Sequence, residues 1–568
     1  MISPKKKYRA VIKNENKLDQ DSSYSNKEII EKILKNRSID ENSVDNFLEN
    51  SDIDSVNPYE LKDMDKVIEL LSDFIVSKKT IGIYGDFDAD GLTGTAILIE
   101  TFKDLGANPK PFIPHREEEG HGISKNGLKS LIDLGCELII TVDTGTNAQN
   151  LIKESVDNKV KIIITDHHIP ESNSMEYLTL NPMIQDNITE YSGAGVAWLL
   201  SKALYQHFKK PIKDGITSLA AIGTVADVAP LKDSNRVIVK NGLKEISETK
   251  NYGIKALNKI SNKRFFHETP ESEYISFYLA PRINTPGRIG DAYIALNLLT
   301  AQNEKEANNL SENIEKLNLE RRKLSQMLWD KIQTEIEKQN SESLIKVDCT
   351  GYPLGLLGPL AGRLVENLSK PVFCFLEKDN ILKFSSRSTD DFNLFENLKS
   401  FDQYFLNFGG HAKAAGFSIK KSDYNLLFDG LLNESFKNKK QQESIKEYEI
   451  DIELSINQLN YNLWNDLKKL SPYGEKNPNP IFLCKNIELQ NIKKIGKNKN
   501  HISGRLVSQN QYFDFIGFNN DFIPDHNKKI DCIFQLRTDL WNGVIQKKIA
   551  IVRDRKLKDL IVCIPSSF

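Results

Sequence analysis

The sequence predicts an α/β protein: a doubly wound parallel-sheet domain, a long connecting helix, a second α/β domain and a C-terminal β-barrel. Three observations carry this. Between residues 61 and 301, short β-branched runs bounded by Asp or Gly, "TIGIYG", "CELIITVD" and "VKIIITD", alternate with longer periodic segments. Such runs read as buried parallel strands in βαβ units. Residues 302–342 contain no Gly or Pro. From residue 447 onward, apolar and polar positions alternate between turn signals, as in "YEIDIELS" and "YFDFIGF".

In chain order, residues 1–60 are polar and weakly patterned and read as a short helical lead-in. The first α/β domain follows over 61–301. In 302–342, Leu310, Ile314, Leu317, Leu324, Leu328 and Ile332 recur at spacings of three, four or seven, which predicts one long amphipathic helix. We read it as a strut between domains rather than a coiled coil. Residues 343–430 return to α/β patterning. The Lys-, Gln-, Glu- and Ser-rich stretch 431–446 is a linker, and 447–568 is the barrel.

A length of 568 residues fits two to four domains, and 39% hydrophobic residues suffice for several cores. The formal net charge is −2, so any nucleic-acid contact must come from local basic patches. Six cysteines, at 136, 349, 374, 484, 532 and 563, form no CxxC pair and lie mostly in apolar runs. They read as reduced core residues, with neither a disulfide framework nor a zinc site. The basic start "MISPKKKYRA" leads into no apolar stretch, and no run of about 18 apolar residues occurs. A cytoplasmic protein with no membrane partner is expected.

The chemistry concentrates at the predicted strand ends. "IYGDFDADG" supplies Asp86, Asp88 and Asp90, "IITVDTGT" Asp143, "IIITDHH" Asp166, His167 and His168, and "AAIGTVADVAPL" Asp227. In an open α/β sheet, sites lie outside the carboxyl ends of the strands. Carboxylates crowded in this way repel one another and need a cation. A set of carboxylates plus imidazole, without thiolate, suits Mn²⁺ or Mg²⁺. The number of ligands favours two ions, bridged by Asp143, poised for in-line phosphoryl displacement. A single Asp after a strand is ordinarily a helix N-cap. The DxDxDG spacing also invites a calcium loop, but the twelfth position from Asp86 is Ile97, not Glu.

These segments, with "FIPHREEEGHGIS", "SGAGVAWLL", "PRINTPGRIGD", "GLLGPLAGRL", "GGHAKAAGFS" and "SPYGEKNPNPIF", resemble the DHH phosphoesterase superfamily. Within it they resemble the RecJ single-stranded-DNA exonucleases, over about residues 60–560. The resemblance implies a DHH domain, a DHHA1 domain and an oligonucleotide-binding (OB) barrel. It implies that Asp88, Asp90, Asp143, His167 and Asp227 are metal ligands. Asp86, Asp166 and His168 would stand behind them or touch the phosphate. Arg288 and His411 match positions near the scissile phosphate, where a cation and a donor stabilise developing charge.

By the same resemblance, Arg116 contacts a 5′ phosphate. Ser385 and Arg387 in "KFSSRS" sit where the family writes GSxRS and would grip the same group, Arg through bidentate hydrogen bonds. "NIKKIGKNKNHISGRL" gathers Lys493, Lys494, Lys497, Lys499 and Arg505. With Tyr473, Phe482 and Phe515 nearby, it reads as a surface for backbone tracking and base stacking. Three positions depart from the family pattern. Tyr84 replaces a frequent His, His121 replaces Tyr in "EGYG", and Phe384 replaces the first Gly of GSxRS. Tyr84 puts the affinity of one ion in question, and Phe384 would narrow the 5′-end pocket.

The expected function is hydrolysis of single-stranded DNA from the 5′ end to 5′-mononucleotides, by two Mn²⁺ or Mg²⁺ ions, in DNA repair and recombination. The resemblance implies a monomer that works with a single-stranded-DNA-binding protein and a RecQ-type helicase. One alternative is a DHH oligoribonuclease or cyclic-dinucleotide phosphodiesterase, against which the C-terminal barrel argues. Another is an inactive replication scaffold, against which the full set of acidic residues and histidines argues.

Overall fold

Three buried runs form the centre of a five-stranded, all-parallel sheet. Its strands are β1 (Thr80–Tyr84), β2 (Asn108–Phe112), β3 (Leu138–Val142), β4 (Lys161–Thr165) and β5 (Leu178–Leu180), in the order β2-β1-β3-β4-β5. β3 is buried along its whole length, as a strand covered on both faces must be. The two strands not foreseen are the edges. β2 carries Pro109 and Pro111, which remove ladder donors and are tolerated at an edge; β5 has only three residues.

The computed structural model describes residues 7–12, 24–49, 51–156, 159–172, 174–186, 188–261, 269–339, 342–435, 445–496, 499, 501–508, 511–517, 529–541, 544–551 and 560–561. The chain divides into two units, one built on Ser51–Gln441, the other on Lys5–Asn50 with Gln442–Phe568.

In the first unit, helices α1 (Ala89–Asp104), α2 (Gly193–His207) and α3 (Ile216–Ala226) pack on the parallel sheet through one continuous core. α4 (Glu304–Lys338) is the long helix, 35 residues, with Ala307, Ile314, Leu328, Ile332 and Ile336 buried. The second sheet follows: β6 (Ile345–Asp348), β7 (Val372–Lys378), β8 (Ile381–Arg387), β9 (Phe405–His411) and β10 (Ala414–Lys420), ordered β9-β10-β8-β7-β6. Only the β6–β7 pair is parallel. Helix α5 (Leu357–Leu368) covers one face.

The second unit holds a closed ring of five strands. These are β11 (Phe482–Ile495), β12 (His501–Ser508), β13 (Gln511–Gly517), β14 (Lys529–Trp541) and β15 (Val544–Ile551). They pair β11-β12-β13-β15-β14, and β14 returns to β11.

The first 60 residues do not act together as a lead-in to the α/β domain. The helix Asn26–Asn36 buries Ile29, Ile30, Ile33 and Leu34 in the core of the second unit, with Leu454, Leu463 and Leu467. Its apolar stripe needs an apolar partner and finds it far along the chain. The linker reading of 431–446 is shortened at both ends. Helix Tyr424–Ser435 buries Leu431, and a strand starts at Ile445. Five cysteines are free and buried, as expected; Cys563 lies outside the described residues. Among the described residues, no helix is long and apolar enough to cross a membrane.

Candidate metal and phosphate site

Asp86, Asp88 and Asp90 leave β1 and enter α1. Asp88 is the N-cap of α1, its Oδ1 accepting from the amides of Asp90 (3.0 Å) and Gly91 (3.1 Å). The ordinary reading of an Asp after a strand thus holds for it, and Oδ2 stays available. Asp90 lies within the first turn, fully buried. Its carboxylate accepts from the amides of Gly193 (2.6 Å) and Ala194 (2.9 Å) at the start of α2. The helix dipole there favours a negative charge.

Asp143 follows β3 with φ 62°, a left-handed conformation that Asp tolerates better than most residues. Asp166 follows β4, then His167 and His168. Asp227 does not follow a strand. It is the C-cap of α3, whose small residues Ala220, Ala221 and Gly223 let it pack closely on α1 and α2. The mostly buried run "ITSLAAIGTVA" suits a core helix as well as a strand, so its apolar character alone could not separate the two.

These segments converge. His167 Nε2 lies 3.0 Å from Asp143 Oδ1 and 3.8 Å from Asp90 Oδ2, while Nδ1 lies 3.7 Å from Asp227 Oδ2. Among the described residues, three overlapping groups have the size of a metal shell: Asp143, His167 and His168; Asp90, His167 and Asp227; Asp86, Asp88 and Asp143. Among the described residues, Asp86 Oδ1 is buried without a hydrogen-bond partner, and Asp143 Oδ1 meets the His167 ring. A Cβ on Gly193 would stand 2.5 Å from Asp143 Cβ, and one on Gly223 would stand 2.6 Å from Asp90 Oδ1. Hard donors, orphaned buried oxygens and backbone packed to glycine contact all fit divalent cations.

The electrostatics agree. Burial and the charges of Asp90 and Asp88 hold the Asp143 carboxyl well above its usual range. Burial and Asp90 push Asp227 up to about 7, and burial with Asp86 and Asp90 raises Asp88. Asp166 behaves oppositely. Burial pushes it up, but His168, His167 and the Thr146 amide outweigh that and hold it low. Its hydrogen bond to His168 Nδ1, 2.7 Å, raises that ring to about 9. Asp166 also accepts from the amides of His167 and His168, so it fixes the turn that aims both rings.

Beside this cluster is a group of arginines. Arg116 stacks on Phe87 (4.0 Å to the ring centroid) and donates to Gly287 O. Arg288 donates to Gly355 O (3.1 Å), and burial then the Arg116 charge pull it down to about 10. Ser385 and Arg387 point from β8 at the start of α5: a Cβ on Gly358 would stand 3.2 Å from both Ser385 Oγ and Arg387 Nη2. Among the described residues, no carboxylate pairs with Arg116, Arg288 or Arg387. His411, at the end of β9, is exposed on one side only: partial desolvation of its ring, then the Arg387 and His168 charges, lowers its pKa.

Phe384 does not narrow this pocket. It alternates onto the opposite face of β8 and stacks on Phe417 (4.4 Å) within the core. In the second unit, Lys493, Lys494, Lys499 and Arg505 are exposed; Lys497 lies outside the described residues. Phe482 and Phe515 are buried core residues rather than stacking surfaces. Tyr512 is an exposed ring, under the Arg505 guanidinium at 4.7 Å.

Three features escaped sequence reasoning. Gly193 and Ala194, within the quoted "SGAGVAWLL", hold Asp90 through their amides. Asn284 accepts from the Ala89 amide (2.8 Å) and ties the α1 start to the Arg288 segment. Arg321 on α4 has a buried Nε without a hydrogen-bond partner among the described residues, and its charge bears on Arg288. A charged residue at an inward position of the α4 stripe was the available signal.

Three family descriptions match the chain: "DHH family, N-terminal domain" over residues 80–224, "DHHA1 domain" over 344–437 and "RecJ OB domain" over 450–552. The chain is 33% identical over 528 residues to the single-stranded-DNA-specific exonuclease RecJ of Bacillus subtilis, covering 90% of this chain and 66% of that relative. It therefore spans just under two thirds of that protein's length. It is 30% identical over 519 residues to the Escherichia coli protein of the same name, covering 85% of this chain and 89% of that relative. The crystal structure of RecJ in complex with Mn²⁺ from Thermus thermophilus matches with a TM-score of 0.78 at 26% identity, covering 98% of this chain and 80% of that one.

Proposed function

The chain belongs to the RecJ family of single-stranded-DNA-specific exonucleases, and from that premise we propose that it hydrolyses single-stranded DNA from the 5′ end, releasing 5′-mononucleotides. The observation that carries the reading is the convergence of three metal-sized groups through Asp143 and His167. Asp88, Asp90, Asp143, His167 and Asp227 would hold two Mn²⁺ or Mg²⁺ ions. Such ions supply Lewis acidity to phosphoryl oxygens and lower the pKa of water.

The chain's own groups do the rest. Asp86 neutralises and orients from behind, and Asp166 sets the angle of His168. Arg288 and His411 face the scissile phosphate, where a fixed cation and a donor stabilise charge developing on its oxygens. Arg116, Ser385 and Arg387 take the 5′ phosphate; having no carboxylate partner among the described residues, both guanidinium groups are free for it. Lys493, Lys494, Lys499 and Arg505 track the strand backbone. The work is that of a cytoplasmic DNA-repair enzyme, acting with a single-stranded-DNA-binding protein and a helicase that clears duplex.

The test is degradation of 5′-labelled and 3′-labelled single strands with Mn²⁺, for wild type and Asp143→Ala. Immediate mononucleotide release from the 5′ label, abolished by the substitution, is expected. Absence of cleavage by folded wild type across metals overturns the reading.

A further inference from the structure

Of the three metal-sized groups, two contain imidazole. The third, Asp86, Asp88 and Asp143, consists of carboxylates alone. The residue entering this group from β1, Tyr84, gives it nothing. Its hydroxyl donates to Gly122 O (3.2 Å) and accepts from the Ser124 amide (3.0 Å), and its ring packs on Phe112. An imidazole nevertheless stands beside one member of the group, Asp86, and reaches the others only by turning about its exposed side chain. His121, on the loop after β2, carries Nδ1 to 3.5 Å from Asp86 Oδ2. The other oxygen of Asp86 is the buried one without a partner.

The spacing is informative. A histidine that orients a carboxylate by hydrogen bonding does so closely, as His168 does with Asp166 at 2.7 Å. The histidine shared by the metal-sized groups, His167, stands 3.0–3.8 Å from its carboxylates. Two ligands at right angles, each about 2.1 Å from one octahedral ion, are about 3.0 Å apart. At 3.5 Å, His121 and Asp86 fall with the ligand pairs, beyond a good N–H···O bond. The second nitrogen, Nε2, lies 3.4 Å from Arg116 Nη1, also beyond that range. The ring itself is held by packing on Phe87, 4.3 Å between centroids. Its loop bends at Gly120 (φ 79°) and Gly122 (φ 87°) on either side, conformations that favour glycine.

We infer that His121 is a ligand of the divalent cation held by Asp86 and Asp88, supplying the imidazole that Tyr84 does not. The inference rests on the two-metal reading above and changes it in two ways: it adds His121 as a ligand, and it moves Asp86 from support behind the ions to contact with one of them.

The experiment is Mn²⁺ titration of the EDTA-stripped full chain, with free Mn²⁺ read by electron paramagnetic resonance and ¹⁴N coupling to bound Mn²⁺ read by its pulsed form. Wild type is compared with His121→Ala, His121→Phe and Tyr84→Phe. His121→Phe keeps a ring against Phe87 but removes both nitrogens. Both His121 variants are expected to lose at least tenfold in affinity for one of two Mn²⁺ ions, with weaker ¹⁴N coupling, while Tyr84→Phe matches wild type. The side chain is 66% exposed, so melting of the stripped variants stays unchanged. Unaltered affinity, stoichiometry and ¹⁴N coupling in His121→Ala overturn the inference, even if strand cleavage falls. Wild type binding no Mn²⁺ overturns the metal reading and this inference together.

Discussion

His168 Nδ1 lies 2.7 Å from Asp166 Oδ1, whereas the adjacent His167 turns its Nε2 to 3.0 Å from Asp143 Oδ1. Consecutive imidazoles, 4.7 Å apart at their centroids, thus have different partners, and one carboxylate enforces the difference. Asp166 accepts from the amides of Thr146, His167 and His168 as well as from the His168 ring. Asp166→Asn removes the charge that holds this turn. Loss of such an orienting partner typically weakens metal affinity about 10–100-fold. Calorimetric Mn²⁺ titration of Asp166→Asn is expected to fall in that range; an affinity within twofold of wild type would contradict it.

Metal-free protein is expected to lose stability as pH rises from about 5 to about 9. Asp227, at about 7, binds its proton more tightly folded than unfolded, so its contribution falls as pH climbs from the ordinary carboxyl range toward 7. His168, raised to about 9, contributes fully below the ordinary imidazole value and loses that contribution as pH approaches 9. Asp143, raised by burial and its acidic neighbours, has the same sign. Asp166 and Asp86 are lowered, but their gain is complete below pH 5. His411, whose pKa is lowered, opposes this trend below the ordinary imidazole value, so thermal melts in EDTA should fall on balance over this window, and saturating Mn²⁺ should flatten the curve. A melting temperature that rises from pH 6 to pH 8 without metal would refute the sign.

The parallel sheet was legible because a strand buried on both faces leaves an apolar, β-branched run such as "KIIIT". The edge strand Asn108–Phe112 was not, because its prolines argue locally against any strand. Asp86, Asp88, Asp90 and Asp143 were legible because strand ends define the crevice. The placement of Asp227 on a helix was not, since the short run before it, "AAIGTVA", is small and mostly apolar and fits a buried strand as well as a helix. Phe384 and Phe515 show the limit of reading an aromatic near a motif: the face each occupies depends on strand alternation fixed by distant partners. Gly193 carried no signal of its own, because its role is to lack a Cβ against a carboxylate from another segment.

Gly193→Ala tests that role. The added methyl would sit 2.5 Å from Asp143 Cβ and 2.8 Å from Asp143 Oδ1. The overlap forces Asp143 or the start of α2 to move, which costs about 1–3 kcal/mol in a close-packed site, so stability without metal is expected to fall as well. The collision falls on the carboxylate that all the bridging geometry uses. The variant is expected to lose most of the Mn²⁺-induced stabilisation, about 2.7 kcal/mol for wild type at a hundredfold excess over Kd. Chemical denaturation with and without Mn²⁺ measures both terms. Retention of the full increment would mean that Asp143 can move without consequence.

Arg387→Ala tests the 5′-end pocket. Arg387 Nη1 donates to Ser386 O (2.9 Å), which leaves Nη2 beside Ser385 Oγ at the start of α5. Hydrogen bonds to charged groups contribute about 1.5–3 kcal/mol, and each 1.4 kcal/mol is about tenfold in kcat/KM. The expected loss is therefore about 10–150-fold on strands with a 5′ phosphate. Strands ending in a 5′ hydroxyl lack the bound charge, so they should lose much less, and the variant's preference between the two ends should shrink toward unity. A general electrostatic role would instead weaken both substrates equally, because the charge would act on the whole backbone. Ser385→Ala separates the neutral donor from the cation: it should reduce the same preference by a smaller factor, about tenfold or less. Equal losses on both substrates for Arg387→Ala would place the 5′ phosphate elsewhere.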